Sequence, residues 1–520
     1  MRNIDFLEKK LEFFSRNTIL SLCIIGGISI FFRLYYFPYR LPLSQDALQY
    51  FWYAIDTSIL WHLPTNYGYT NTGWSIFLSI FFSILHSNNP MDYFTLQRSV
   101  GTAISVLTII PVYLLCNRFF EKSLALVGTS LFAFDPRIIE NSVSGLTEPL
   151  YIFLVASALF LFLSMNKKIV FTSFAVAALC ALVRYEGILL FFVISILFFV
   201  RFRKERKVII KYVIAASIFV LILLPMAYIR IQTFGSDGLT SNVIGGATYG
   251  IRNTANDNNR AIALFLYVIT GLENLAKYLG WIMVPFFGFF VPMGVLLILK
   301  KRDFNSVMII LPIIIMSLPA LYAYSRLVQE TRYLYVLYPL FCVLSIYTVK
   351  FLSDRFKKRN IFLIFLVGGV LLSSWIFLDF KGIDIKHEEE ALRIAQYVAK
   401  TTKVINEYYP EGKYLISTNI LNSQKFPVLS TSIQHGTKIL PIYGFNSLEE
   451  YIKYGRDNGL TYLVLDNAKR NPDYLNDVFN NEKKYPYLVK VFDSLEHGYR
   501  YHLKIYRIDY DKFDLTIHSK

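Results

Sequence analysis

A charged residue at the end of a long apolar run is costly to hold there, so each one asks for a partner or a task. Four such groups stand out. The first is Asp46, in Leu43-Ser44-Gln45-Asp46-Ala47-Leu48-Gln49-Tyr50, just past the first apolar run and ahead of Phe51-Trp52-Tyr53. A carboxylate there has the chemistry of a general base; a turn or cap residue is the plainer reading. The second joins Asp135-Pro136-Arg137 to Thr147-Glu148-Pro149. Glu148 is either a site carboxylate or an acid favoured by the dipole of a helix that starts there. The third, Arg184-Tyr185-Glu186-Gly187, fills a very short turn between two apolar runs. Arg184 either pairs with Glu186 or faces a cavity and binds phosphate. The fourth is Gln329-Glu330-Thr331-Arg332-Tyr333 with Pro339 beyond it, where Arg332 at a helix end suits an anionic headgroup.

The elements that must position these groups are membrane spans. The chain of 520 residues is 54% hydrophobic and only 17% charged, with a mean hydropathy of +0.42. Soluble domains carry about 25% charged residues, so the composition excludes a soluble enzyme, and equally a disordered chain. Apolar runs predict about eleven transmembrane helices, at 18–37, 97–116, 122–135, 148–165, 169–184, 187–202, 207–229, 275–299, 305–324, 333–350 and 360–380. Basic clusters follow every second run, among them Arg201 to Lys211, Lys300-Lys301-Arg302 and Arg355 to Arg359. By the positive-inside rule these loops are cytoplasmic and the N-terminus, residues 1–17, is inside. The opposite face holds Arg33, Arg40, Arg98, Arg137, Arg184, Arg230, Arg252, Arg260, Arg326 and Arg332 with Lys277. That preference for the planar, bidentate guanidinium points to an anion site on the outer face. Residues 38–96 and 230–272 form long outer loops, and 73–86 reads as an interfacial or re-entrant helix in the first of them. The Gly- and Asn-rich second loop is either a lid over substrate or a passive loop.

Composition shifts after Phe380. Residues 386–520 predict a small extracytoplasmic α/β domain, with helices at 387–408, 447–457 and 472–481 and strands at 413–418, 461–465, 488–493 and 500–508. Asp466 closes one strand, where α/β sheets place ligands, although a turn or cap role is the plainer one. The four cysteines lie in apolar runs, which argues against a disulfide framework or a zinc ribbon. The +16 charge is accounted for by cytoplasmic loops, so nucleic acid is not a partner.

Taken in order, these features resemble the GT-C superfamily of membrane glycosyltransferases, and within it the branch of protein O-mannosyltransferases and lipid A aminoarabinose transferases. Asp46 stands where that branch has an acid in the first outer loop. His62-Leu63-Pro64 through Trp74 resembles its Pro-rich interfacial segment. Arg98 opens the next span, Glu148 begins the span after the third, Arg184 to Gly187 forms the turn, and Arg332-Tyr333 with Pro339 enters a late span. The branch often pairs acids in the first loop, whereas this chain has Gln45-Asp46. No metal ligand is assigned, and a divalent ion, Mg or Mn, stays open as a cofactor.

The resemblance implies an inverting transfer of a sugar from a polyprenyl or dolichyl phosphate carrier to a protein, lipid or glycan acceptor on the extracytoplasmic face. The leaving phosphate needs fixed cations, for which Arg184 and Arg332 are the candidates, with Arg98 and Arg137 as helpers. The acceptor hydroxyl needs a base, with Asp46 ahead of Glu148. Tyr50, Trp52, Tyr185, Glu186 and Tyr333 are the candidates for contacting substrate, an apolar groove among the spans would hold the carrier's tail, and membrane lipids are the surrounding partners. The alternative from another class is a transporter or flippase of lipid-linked sugars or other anions, which the scarcity of charges within the spans weighs against.

Overall fold

The computed structural model describes residues 17–65, 71–242, 260–301, 303–381, 384–408, 414–423, 425–433, 437–467 and 471–518. These form two compact units. One draws on 1–37, 63–78 and 97–382, the other on 38–62, 79–96 and 383–520.

The first unit is helical. Seven described helices are long and apolar enough to cross a membrane, or eight if a bent pair counts as one span, and Lys122–Ala133 and Glu148–Phe162 are shorter apolar helices. The Lys167–Val183 helix packs on Glu148–Phe162 and Val208–Phe234, and Tyr338–Ser353 packs on Phe287–Leu299 and Lys122–Ala133. The Tyr338–Ser353 helix is buried almost from end to end, which puts it inside the bundle, while Val208–Phe234 is exposed along most of its length, as a lipid-facing helix is. Close approach explains one glycine: a Cβ on Gly294 would meet Leu344 O at 2.1 Å, so only Gly lets these backbones touch.

Two expectations for this unit change. The run at 275–299 is not one straight span: Leu264–Ile282 and Phe287–Leu299 meet at 114°. Pro285 lies in the break, where it supplies no N–H and disfavours a helical Val284. The second long loop is also shorter than expected. Residues 230–234 finish the Val208–Phe234 helix and 260–272 begin Arg260–Ile282. Of the remainder, 235–242 is described, and 243–259 with Arg252 lies outside the described residues.

The second unit mixes helices with two small sheets. β1 (Val404–Asn406) pairs in parallel with β2 (Lys438–Leu440). β3 (Tyr462–Asp466), β4 (Leu488–Asp493) and β5 (Leu503–Ile508) form an antiparallel sheet in the order β3-β5-β4. A side chain ties the two sheets. The Asn406 amide donates to Val464 O and accepts from Val464 N, both at 2.7 Å, as a strand neighbour would. Asp466 accepts from Asn471 Nδ2 at 2.6 Å, which is the turn role.

Segments of the expected first outer loop are built into this unit. Phe51, on the Gln45–Leu60 helix, packs with Phe82, Phe94 and Phe426. Asp56 accepts from Ser430 N at 2.8 Å and from Ser430 Oγ at 2.6 Å. Leu41 packs with Ala391, Leu392, Ala395 and Tyr414. The helices expected at 447–457 and 472–481 are Leu448–Asp457 and Asp473–Asn480. The expected helix 387–408 runs instead from Ile385 to Thr401 and gives way to β1. The expected strand at 413–418 is a helix, Leu415–Leu421. Thr418 Oγ1 bonds back to Tyr414 O and Leu415 O at 2.7 Å, so its hydroxyl is satisfied within a helix despite its strand-like type.

Candidate active site

Arg184 follows directly on the Lys167–Val183 helix, where extended backbone turns its side chain toward the start of Glu148–Phe162. One guanidinium nitrogen donates to Glu148 Oε1 at 2.7 Å and to Thr147 Oγ1 at 3.0 Å, and the other donates to Glu186 Oε1 at 3.0 Å. The Tyr151 and Tyr333 rings lie 5.7 and 5.8 Å from its central carbon, within cation–π reach. Arg184, Glu148 and Glu186 are all buried. Each of the two carboxylates keeps a buried second oxygen, Oε2, without a hydrogen-bond partner among the described residues. A buried charge so placed either costs stability or has work to do.

The turn is shaped by its glycine. Gly187 N donates to Arg184 O at 2.8 Å, and a Cβ on Gly187 would lie 2.6 Å from the Cys180 backbone. Residues 71–73 brace it. Asn71 Oδ1 accepts from Tyr185 N at 3.3 Å, and a Cβ on Gly73 would meet Leu182 O at 2.4 Å. Arg230 reaches the same segment, donating to Thr72 Oγ1 at 3.4 Å.

Glu148, Tyr151, Arg184, Glu186, Arg332 and Tyr333 line one cavity of about 20 Å³, room for roughly one water-sized group. Arg332 also faces Glu330 at 3.5 Å. A second cavity, of about 300 Å³, shares Glu186, Pro319 and Tyr333 with the first and adds Tyr185, Tyr322, Arg326 and Asn242. Three arginines, two buried acids and several tyrosines thus line two neighbouring spaces that share Glu186, Pro319 and Tyr333.

Of the residues singled out from sequence, Glu148, Arg184, Glu186, Arg332 and Tyr333 come together here, and Tyr185 lies beside them. Arg137 does not: it donates to Trp281 O at 2.6 Å and lies over the Trp281 and Phe377 rings, which ties it to the broken helix. Arg98 is buried on the Pro90–Leu107 helix and is not among the residues lining either cavity. Asp46, Tyr50 and Trp52 belong to the second unit, on the Gln45–Leu60 helix. Asp46 is half-buried in the first turn and Tyr50 is buried. Sequence reading missed Tyr151, although its spacing of three from Glu148 places both on one helix face. It also missed Thr147 as a partner of Arg184, and Asn71. Among the described residues no group of three or more His, Cys, Asp or Glu is arranged to hold a metal ion.

No protein-family model and no curated protein sequence matches the chain. Solved structures do. The oligosaccharyltransferase of Archaeoglobus fulgidus, in a complex with Zn and sulfate, is similar with a TM-score of 0.57 at 15% identity, over 86% of this chain and 68% of that one. The same enzyme with an inhibitory peptide and a dolichol-phosphate gives 0.55 at 15% identity, over 86% and 69%. ArnT of Cupriavidus metallidurans bound to undecaprenyl phosphate gives 0.53 at 9% identity, over 93% and 97%. Both enzymes are GT-C glycosyltransferases, so the chain shares the GT-C fold that its sequence order resembles.

Proposed function

We propose that this chain is an integral-membrane glycosyltransferase that takes a sugar from a polyprenyl or dolichyl phosphate carrier and passes it, with inversion, to an acceptor on the extracytoplasmic face. The observation that carries the reading is Arg184, fixed by Glu148 and Glu186 in a cavity shared with Arg332, inside a GT-C fold. Similar structures hold a dolichol-phosphate and undecaprenyl phosphate, which supports a lipid-phosphate donor.

The reaction assigns each group a task. An acceptor hydroxyl oxygen attacks the anomeric carbon, the carbon–oxygen bond to phosphate breaks, and the phosphate leaves with the electron pair. Arg184 and Arg332 stabilise that developing charge. Asp46 takes the hydroxyl proton, and its place after the first span supports that role. Glu148 has one oxygen engaged by Arg184, which fits a group that positions the guanidinium better than one that accepts the proton. Tyr185, Glu186 and Tyr333 contact the sugar from the larger cavity; Tyr50 and Trp52 are further candidates for substrate contact, and Arg98 and Arg137 are helpers for the donor phosphate. The membrane domain runs from 18 to 380, lending 38–62 and 79–96 of its first outer loop to the second unit, and 386–520 is an extracytoplasmic α/β domain.

The test is transfer of radiolabelled sugar from a panel of polyprenyl-phosphate sugars to a membrane extract by the full chain in nanodiscs, beside Asp46→Asn and Arg184→Gln. Transfer by the wild type and by neither variant is the expected result. Donor moved across the bilayer with no product formed would replace the reading with a transporter.

A further inference from the structure

The Thr18–Tyr35, Lys122–Ala133 and Arg359–Lys381 helices enclose an apolar groove of about 400 Å³ that shares no lining residue with the two cavities around Arg184 and Tyr333. Its walls are Ile24, Ile25, Leu126, Leu363, Val367 and neighbours, and its polar lining includes Ser21, Ser123 and Asn360. Each of those three lies in the first turn of its helix. The fourth polar member, Ser130, lies farther along its helix and donates its hydroxyl back to Leu126 O at 2.9 Å, so the groove's other polar groups gather at the end where three helices begin.

That end is basic. Lys122 precedes Ser123, and Lys357, Lys358 and Arg359 precede Asn360, against Glu121, which pairs with Arg359. Lys122, Lys357 and Lys358 are exposed. Thr18 Oγ1 and Arg359 Nε are enclosed without a hydrogen-bond partner among the described residues. The helix starts add partial positive charge. Along the third helix the groove runs from Asn360 to Leu371. At the α-helical rise that is about 16 Å, near half of a hydrocarbon core of about 30 Å. One leaflet has that depth.

We propose that this groove binds one acyl chain of an anionic phospholipid, with its headgroup held by Lys122, Lys358 and Arg359 at the polar end. A phospholipid fits better than the donor itself. The polar end lies where the Lys122–Ala133 helix begins, whereas Glu148 and Arg184 come after that helix has ended, and the groove is only one leaflet deep. By the placement of basic loops this is the cytoplasmic leaflet.

The test is native mass spectrometry of the full chain in detergent with phosphatidylglycerol or phosphatidylcholine of one chain length. Two variants accompany it. Gly368→Leu fills the groove: Gly368 lines it and a Cβ there meets nothing within 4 Å. Lys122→Gln/Lys358→Gln removes exposed charge without touching the packing. Phosphatidylglycerol should bind at least tenfold tighter than phosphatidylcholine. Gly368→Leu should lose both lipids, and the double variant should lose the preference alone. Equal binding of the two lipids by the wild type would overturn the proposal, as would unchanged retention in the double variant. So would displacement of phosphatidylglycerol by equimolar polyprenyl phosphate. Should Gly368→Leu fail to fold, the double variant decides by itself.

Discussion

Two arginine–carboxylate arrangements, one in each unit, use the same fork for opposite ends. In the second unit Arg456 meets Asp514 bidentately at 3.0 and 2.8 Å, with both side chains more than two-fifths exposed. Every charge is matched and water screens the rest. In the first unit Arg184 is buried between two acids that each leave an oxygen unmatched. The first kind of pair decorates a surface. The second holds charge ready in a dry place, where a phosphate leaving a sugar feels it strongly. Burial and incompleteness, more than the presence of an ion pair, distinguish the site.

The sharpest way to break the contrast is Arg184→Gln. Removing one partner of a buried network costs about 3–5 kcal/mol, because Glu148 and Glu186 are left uncompensated. Losing a cation aimed at the leaving group costs a further factor of about 10² to 10³ in turnover. Transfer should vanish and thermal unfolding in detergent should shift well down. Arg184→Lys keeps the charge without the fork and should recover stability more than rate. Wild-type turnover in Arg184→Gln would remove the site from the mechanism. Next in size is Gly187→Ala. A methyl 2.6 Å from the Cys180 backbone forces the turn apart, at about 1–3 kcal/mol. Transfer should fall severalfold while donor retention on the protein persists; unchanged transfer would show that the turn tolerates displacement.

How much of this was legible beforehand depends on distance along the chain. The turn Arg184-Tyr185-Glu186-Gly187 is local, so its pairing and its short geometry could be read directly. Glu148 joins it across the 36 residues that separate it from Arg184, and order alone suggested the two belonged together without saying that they touch. Tyr151 was missed because an aromatic on an apolar helix face looks like packing whether or not a guanidinium lies over it. Arg137 was less legible: its type suits phosphate, and the partner it has is a carbonyl where the Arg260–Ile282 helix stops, which no local pattern announces. The use of 38–62 and 79–96 by the second unit was also hidden, since Phe51 and Asp56 find their partners at Phe426 and Ser430 only in three dimensions.

A third variant asks whether the second unit's own buried polar link matters as much as the site. Asn406→Leu leaves Val464 N and O without their partners, at about 1–3 kcal/mol for each unsatisfied group. Limited proteolysis should then open the 386–520 region at lower temperature than in the wild type, with the membrane helices still protected. Equal resistance would mean that β1 and β3 hold together without it.

The smallest effects belong to exposed charge. Asp477 accepts from Lys484, Tyr485 and Asn481, and the Lys484 bond above all holds its carboxyl well below the usual range. Because the folded value is the lower one, its contribution is complete above about pH 4 and fades as pH falls further. Asp477→Asn should flatten the acid limb of a stability–pH curve for this unit, and an unaltered limb would assign acid sensitivity elsewhere. Arg456→Ala should leave the unfolding midpoint within error, despite better hydrogen-bond geometry than most surface pairs have, because water replaces what the fork supplied. If it instead destabilised the protein as much as Asn406→Leu, exposure would not be what separates the two arrangements, and the case for Arg184 would rest on its unmatched acids alone.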